Sequence, residues 1–204
     1  MKIGAQYSHL NGLEWLMVHH PDYWDEIQDS IATVDAAATK TKVSNEKTMR
    51  GKLLYSPGAL NAAFKQQLSL RGWGSPSRRS YFVTDDADLM ALTMGKSPDE
   101  QKAIILDAGK EPIPTSNEAD FAKGRVSVEV QFGKYSFVQF DLFVKHAADY
   151  MQNRIDLGIE IVPMKSMEKE MSSGPPFYEK HLHEILRQGR IFPPVPLLLI
   201  GIEP

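Results

Sequence analysis

The run Val126 to Phe132 reads V-S-V-E-V-Q-F, and its two-residue alternation constrains the fold more than any other stretch of the chain. Side chains at i and i+2 share one face of a strand. Val128, Val130 and Phe132 therefore point into a core, while Glu129 and Gln131 point together to the other side. An acid and an amide on a rigid, half-buried strand can present polar chemistry at a fixed place. A second carboxylate, Asp120, stands upstream at the end of a polar segment. Brought together, Asp120 and Glu129 would make a hard, oxygen-rich site suited to Mg2+. Acids at this spacing are common, and on the pattern alone an edge strand with one polar face is the favoured account.

The rest of the chain supplies a context for that strand. Pro98 and Glu100 behind Ser97 form a capping-box start, which predicts a helix from there to about Ala108. Trp24, Ile27 and Ile31 recur at helical spacing within residues 11–33, where Pro21 interrupts. Leu60, Phe64 and Leu68 predict a helix over 57–70. Residues 71–79 read as a loop, and Tyr81 to Val83 as a short strand. After the strand of interest come a loop, Gly133-Lys134-Tyr135, and a second capping pattern in Ser136 and Gln139. The helix that follows carries an apolar stripe of Phe137, Phe140, Val144, Ala148 and Met151. Strands are expected over 2–8, 157–163 and 195–202, a helix or loop over 165–174, and a helix over 178–188. Strand, helix and strand in that order from 125 to 163 imply a mixed α/β sheet.

Length and composition narrow the class. At 204 residues the chain fits one domain, with room for a small subdomain. No apolar run reaches the length of a membrane span. The start has no signal-peptide core, and the chain has no cysteine, which excludes disulfides and thiolate metal sites and fits a reducing cytoplasm. The net charge of −3 conceals an asymmetry. Residues 39–79 hold nine basic side chains (Lys40, Lys42, Lys47, Arg50, Lys52, Lys65, Arg71, Arg78 and Arg79) against one acid, Glu46. Such a region suits a polyanion, although most charged runs are only solvated faces. His19-His20 and His181-x-His183 lack the spacing and the neighbouring glutamate of a helical zinc site. No phosphate-binding glycine loop and no G-x-S-x-G turn is present.

Asp120-Phe121, Val128-Glu129-Val130-Gln131-Phe132 and Lys134-Tyr135-Ser136-Phe137 resemble the BglII/BstYI family of type II restriction endonucleases. The resemblance extends over nearly the whole chain. It takes in Tyr7-Ser8-His9-Leu10-Asn11-Gly12-Leu13-Glu14, Leu54-Tyr55-Ser56-Pro57 and Asp141-Leu142-Phe143-Val144-Lys145-His146. It also takes in Glu170-Met171-Ser172-Ser173-Gly174 and Leu199-Ile200-Gly201-Ile202. It implies a single endonuclease domain over residues 1–204, with an α/β, restriction-endonuclease-like PD-(D/E)XK core: a central mixed β-sheet flanked by helices. It implies a homodimer that cuts double-stranded DNA at an R-GATC-Y palindrome with Mg2+, leaving GATC overhangs. On that pattern Asp120, Glu129 and Gln131 are catalytic, with Gln131 where most of the wider superfamily has lysine. Asp120, Glu129 and the Val130 carbonyl hold the metal, while Lys134, Ser172 and Ser173 contact DNA. The helix after the catalytic strand is a candidate dimer interface. A catalytically inactive DNA-binding protein, or another metal nuclease of the same fold, are the alternatives.

Overall fold

The computed structural model describes residues 1–74, 77–172 and 174–204, with Ser77 described in its backbone only. The chain opens with strand β1 (Lys2–His9) and helices α1 (Gly12–His19) and α2 (Pro21–Thr33). Pro21 starts α2 because a first-turn position needs no amide hydrogen, and this divides the helix expected over 11–33. A hairpin of β2 (Lys42–Val43) and β3 (Leu53–Leu54) precedes α3 (Pro57–Leu70), whose cap is the Ser56 hydroxyl. Next come β4 (Ser77–Val83), α4 (Ala87–Thr93), α5 (Pro98–Asp107), β5 (Ile113–Ala119) and β6 (Phe121–Lys123). Strand β7 (Val126–Val130) leads into α6 (Tyr135–Phe140), a π-helical turn (Asp141–Lys145) and α7 (His146–Met151). The chain ends with β8 (Leu157–Pro163), α8 (Lys165–Glu168), α9 (Tyr178–Arg187) and β9 (Leu197–Glu203).

Two compact units result, Met1–Ser75 with Asp120–Pro204, and Pro76–Ala119. In the smaller one, β4 and β5 pair antiparallel, Tyr81 opposite Thr115. The expected Ser97–Glu100 capping box starts α5. Buried Gln101 accepts from Phe82 N–H at 3.0 Å and donates to the Thr93 carbonyl at 3.2 Å, which ties strand to helices. Helix α4 and strand β5 were not expected, because neither carries a long apolar period.

In the larger unit a five-stranded mixed sheet runs β1-β9-β8-β7-β6. Strands β7, β8 and β9 are parallel, and β1 and β6 are antiparallel to their neighbours. Val126, Val128, Val130, Ile159, Ile161, Leu198 and Ile200 pack on one face with Leu16, Ile27, Leu60 and Phe64. Val162, Leu197 and Leu199 pack on the other with Val138, Leu142 and Tyr178. Strand β7 is thus an interior strand buried on both faces, not a half-buried edge. Its Glu129 face is covered by the helical segment after it.

One fully buried group gives the fold a pH dependence. His181 is 0% exposed and neither ring nitrogen has a hydrogen-bond partner among the described residues. Burial, with help from the Lys180 charge, depresses its pKa from 6.5 to about 4. The unfolded chain therefore takes up the proton first. The stability this site contributes is complete above the unfolded pKa and is lost as pH falls from there toward 4. By pH 5 the loss is about 2 kcal/mol. Urea unfolding at pH 7.5 and pH 5 should show that His181→Leu loses less stability than wild type by this amount. Equal losses would refute it.

Candidate active site

The β6–β7 hairpin sets Asp120 against Glu129. Phe121 lies opposite Val128, so the residue before β6 faces the middle of β7. The two acids are tied through the backbone. Asp120 N–H donates to Glu129 Oε2 at 3.3 Å, and Val130 N–H donates to Asp120 Oδ2 at 3.0 Å. The hairpin itself is anchored to α2: Lys123 Nζ meets Glu26 Oε1 at 2.6 Å, and Trp73 Nε1 donates to Glu26 Oε2 at 2.9 Å. At the other end of β7, Arg125 makes a two-pronged pair with Asp156, both contacts 2.7 Å. The pair of acids is therefore held by a rigid frame, which is what positioned chemistry requires.

Asp120 is exposed, and Glu129 lies behind it, 3% exposed. Gln131 is half-buried, and its Oε1 accepts from Gly133 N–H at 3.0 Å, which fixes the amide. Two further acids and a cation surround Glu129. Glu129 is in register with Glu160 on parallel β8, so both side chains share one face of adjacent strands. From above, Lys145 Nζ lies 2.9 Å from Glu129 Oε1 and 2.6 Å from Asp141 Oδ1. Asp141 and Lys145 both belong to the π-helical turn, whose amide bond from His146 reaches back to Asp141 O. This turn holds Asp141 and Lys145, four residues apart, over the sheet; such turns recur at functional sites. His146 Nε2 approaches Glu160 Oε2 at 3.7 Å. Gly158 makes room for the ring, since a Cβ there would sit 2.6 Å from His146 Cγ.

The charges perturb one another. Burial pushes the Glu129 carboxyl up; the Lys145 ammonium opposes the rise, and Asp141 and Asp120 add to it. Burial raises Asp141 as well, and it raises Glu160 well above the usual carboxylate range. Burial works against the charge on Lys145, but Glu129 and Asp141 outweigh it and raise its pKa. Such shifts gathered in one place are shared by functional sites and by structural ion-pair networks.

The donor set suits a hard cation. Glu129 is buried, and its Oε1 faces the Lys145 ammonium at 2.9 Å. Among the described residues no three His, Asp or Glu side chains form a ready-made cage. Two carboxylates held side by side suit a hard divalent cation that keeps several of its waters.

Of the residues expected to contact DNA, Lys134 is exposed at the start of α6, and Ser172 is half-buried. Their loops touch: Tyr135 N–H donates to the Gly174 carbonyl at 2.9 Å. Lys42 Nζ donates to Ser172 Oγ at 2.7 Å, and Lys40 pairs with Glu170. Ser173 lies outside the described residues. Ser136 is not a cap; Lys134 occupies that position and Ser136 lies within the first turn of α6. The basic stretch is also less uniform than its sequence. Arg71 is committed to Gln67 and Lys40 to Glu170, while Arg78 and Arg79 belong to the smaller unit. Lys42, Lys47, Arg50 and Lys52, around the β2–β3 hairpin, remain exposed. His181 and His183 fall on opposite sides of α9, one buried and one exposed.

Asp141, Lys145, His146 and Glu160 were missed from the sequence. Glu160 had the same signal as Glu129, a lone acid in an apolar run (L-G-I-E-I-V-P). Asp141 and Lys145 had none, because a π turn is invisible in a helical period.

No helix among the described residues is long and apolar enough to cross a membrane. No curated protein sequence matches the chain. Among solved structures, a crystal structure of restriction endonuclease BglII complexed with a DNA 16-mer superposes with a TM-score of 0.68 at 19% identity. The match covers 100% of this chain and 79% of that one, and it establishes a shared fold. The sequence profile of the family described as Restriction endonuclease BglII/BglIII matches residues 5–202. The chain belongs to that family, and so is a type II restriction endonuclease acting on DNA.

Proposed function

We propose that the chain works as a homodimer over its full 204 residues, cutting duplex DNA at an R-GATC-Y palindrome before the G with Mg2+ as cofactor. The observation that carries the catalytic assignment is the Asp120–Glu129 pair, locked by reciprocal backbone hydrogen bonds on a buried strand. Asp120, Glu129 and the Val130 carbonyl would hold the cation. Bound there, a divalent cation would supply charge stabilisation for the scissile phosphate and a more acidic water. The water attacks phosphorus in line, and the bond to the 3′ oxygen breaks, leaving a 3′-hydroxyl and a 5′-phosphate. The Gln131 side chain is pinned through its oxygen by Gly133, so its amide N–H groups are the ones left to orient the incoming water or phosphate.

Base reading falls to Lys134 and to Ser172 with Ser173. A lysine can donate to guanine O6 and N7, and a serine tolerates either purine because it both donates and accepts. The exposed bases of the β2–β3 hairpin suit phosphate contacts, which position without reading sequence. A palindrome calls for a two-fold protein.

Digestion of phage DNA with Mg2+ tests the reading. Discrete fragments with GATC overhangs are expected. A smear would mean a non-specific nuclease of the same fold, and intact DNA would mean a binding protein that has lost cleavage. Lys134→Ala should bind DNA in Ca2+ more weakly, by about 1–3 kcal/mol, and lose discrimination at the guanine step. Full selectivity in that variant would remove Lys134 from the base-reading set.

A further inference from the structure

Asp120, Glu129, Asp141 and Glu160 gather on one face of the sheet, and Gln131 brings no charge to offset them. A phosphodiester entering such a site meets repulsion. The cation that the structure sets among these acids is Lys145. Its side chain is 11% exposed, and its ammonium bridges Glu129 Oε1 and Asp141 Oδ1. The Lys145 ammonium lies 2.9 Å from Glu129 Oε1 and 2.6 Å from Asp141 Oδ1, a short contact to each acid. The bridge sits beside the acids assigned to the reaction rather than in a remote core.

We infer that Lys145 is a positioning residue of the active centre: its ammonium neutralises and orients Glu129 and Asp141, so that a phosphodiester can enter an otherwise anionic site. The inference rests on the nuclease reading of Asp120 and Glu129. The π-helical turn is the device that delivers it, since Asp141 and Lys145 reach Glu129 from one short segment. Lys145 thus gives this strand the positive charge that Gln131 lacks.

The test separates charge from structure by measuring DNA binding without metal. The probe is a labelled duplex containing AGATCT, titrated in EDTA by fluorescence anisotropy. Lys145→Met is expected to bind about tenfold more weakly than wild type, since one positive charge leaves an acidic cleft. Glu129→Gln is expected to bind more tightly, and the double variant to return close to wild type. Loss of mere packing would not be repaired by removing a second charge. Binding by Lys145→Met equal to wild type, or a double variant as weak as Lys145→Met, would overturn the inference. Removing both partners also avoids leaving an unpaired buried charge. If only the double variant folds, wild-type binding supports the inference and a loss beyond about tenfold defeats it. In Mg2+, Lys145→Met should cut at about a hundredth of the wild-type rate under single turnover. Gln131→Lys in that background should recover about tenfold by supplying the cation from the strand itself. No recovery, with binding unaltered in EDTA, counts against the charge role. A wild-type protein that cuts no duplex would instead defeat the nuclease reading, while the charge pattern in EDTA would still stand or fall by itself.

Discussion

Asp120→Asn and Glu129→Gln proteins are expected to bind the cognate duplex in Ca2+ and to cut it at about a thousandth of the wild-type rate or less in Mg2+. Both substitutions keep shape and remove charge. The carboxamide oxygen introduced at position 120 would still accept from the Val130 amide. The one introduced at position 129 would still accept from the backbone amide of Asp120, so the frame that ties the hairpin survives. What is lost is the anionic oxygen that a hard cation needs. The two variants should differ in a second respect. Asp120 is exposed, so its loss should leave stability nearly unchanged. Glu129 is buried beside Lys145 and close to Asp141, so its neutralisation removes one member of an ion-pair network. Thermal melting should therefore move more for Glu129→Gln than for Asp120→Asn. Near-wild-type cleavage by either protein under single-turnover conditions would remove that residue from the metal set.

The site was legible in the sequence where it lies on a strand and illegible where it depends on a helix. Alternation in V-S-V-E-V-Q-F fixes which side chains share a face, whatever the strand packs against. That is why Glu129 and Gln131 come out opposite Val128, Val130 and Phe132, as the alternation requires. Whether the strand is edge or interior depends on its neighbours, and β6 and β8 lie elsewhere in the chain. The expected half-buried edge was wrong for that reason. A three-residue β6 has too few positions to show a period at all. The helix after β7 failed differently. Its apolar stripe fits an unbroken α-helix over 136–153, yet the π-helical turn shifts the phase at Asp141 and turns Asp141 and Lys145 inward. Phe137, Phe140, Val144 and Met151 lie on the outer, exposed side of the segment on both sides of the turn.

That stripe carries the remaining large effect: on the homodimer proposed above, replacing Phe137 and Phe140 with aspartate is expected to leave a monomer and to abolish double-strand cleavage. Phe137 is 54% exposed, Phe140 48%, Val144 50% and Met151 71%. Scattered apolar side chains on a surface need no explanation, but a contiguous row along one helical segment does. The buried side of the same segment is already committed, Val138 and Leu142 to the core and Asp141 to the site. On the proposed homodimer the outer row is the surface that would pair with its own copy about the two-fold axis of the proposed palindrome. Two carboxylates there would face two more across the axis, and like charges at a desolvated centre are strongly unfavourable. Light scattering should report the monomer mass, while far-ultraviolet circular dichroism stays native because the replaced groups do not support the core. Activity then separates two origins of the loss. A monomer that still nicks one strand of the duplex has an intact Asp120–Glu129 site and has lost only its partner. A variant that stays dimeric and cuts both strands would show that the row at Phe137 and Phe140 lies outside the interface.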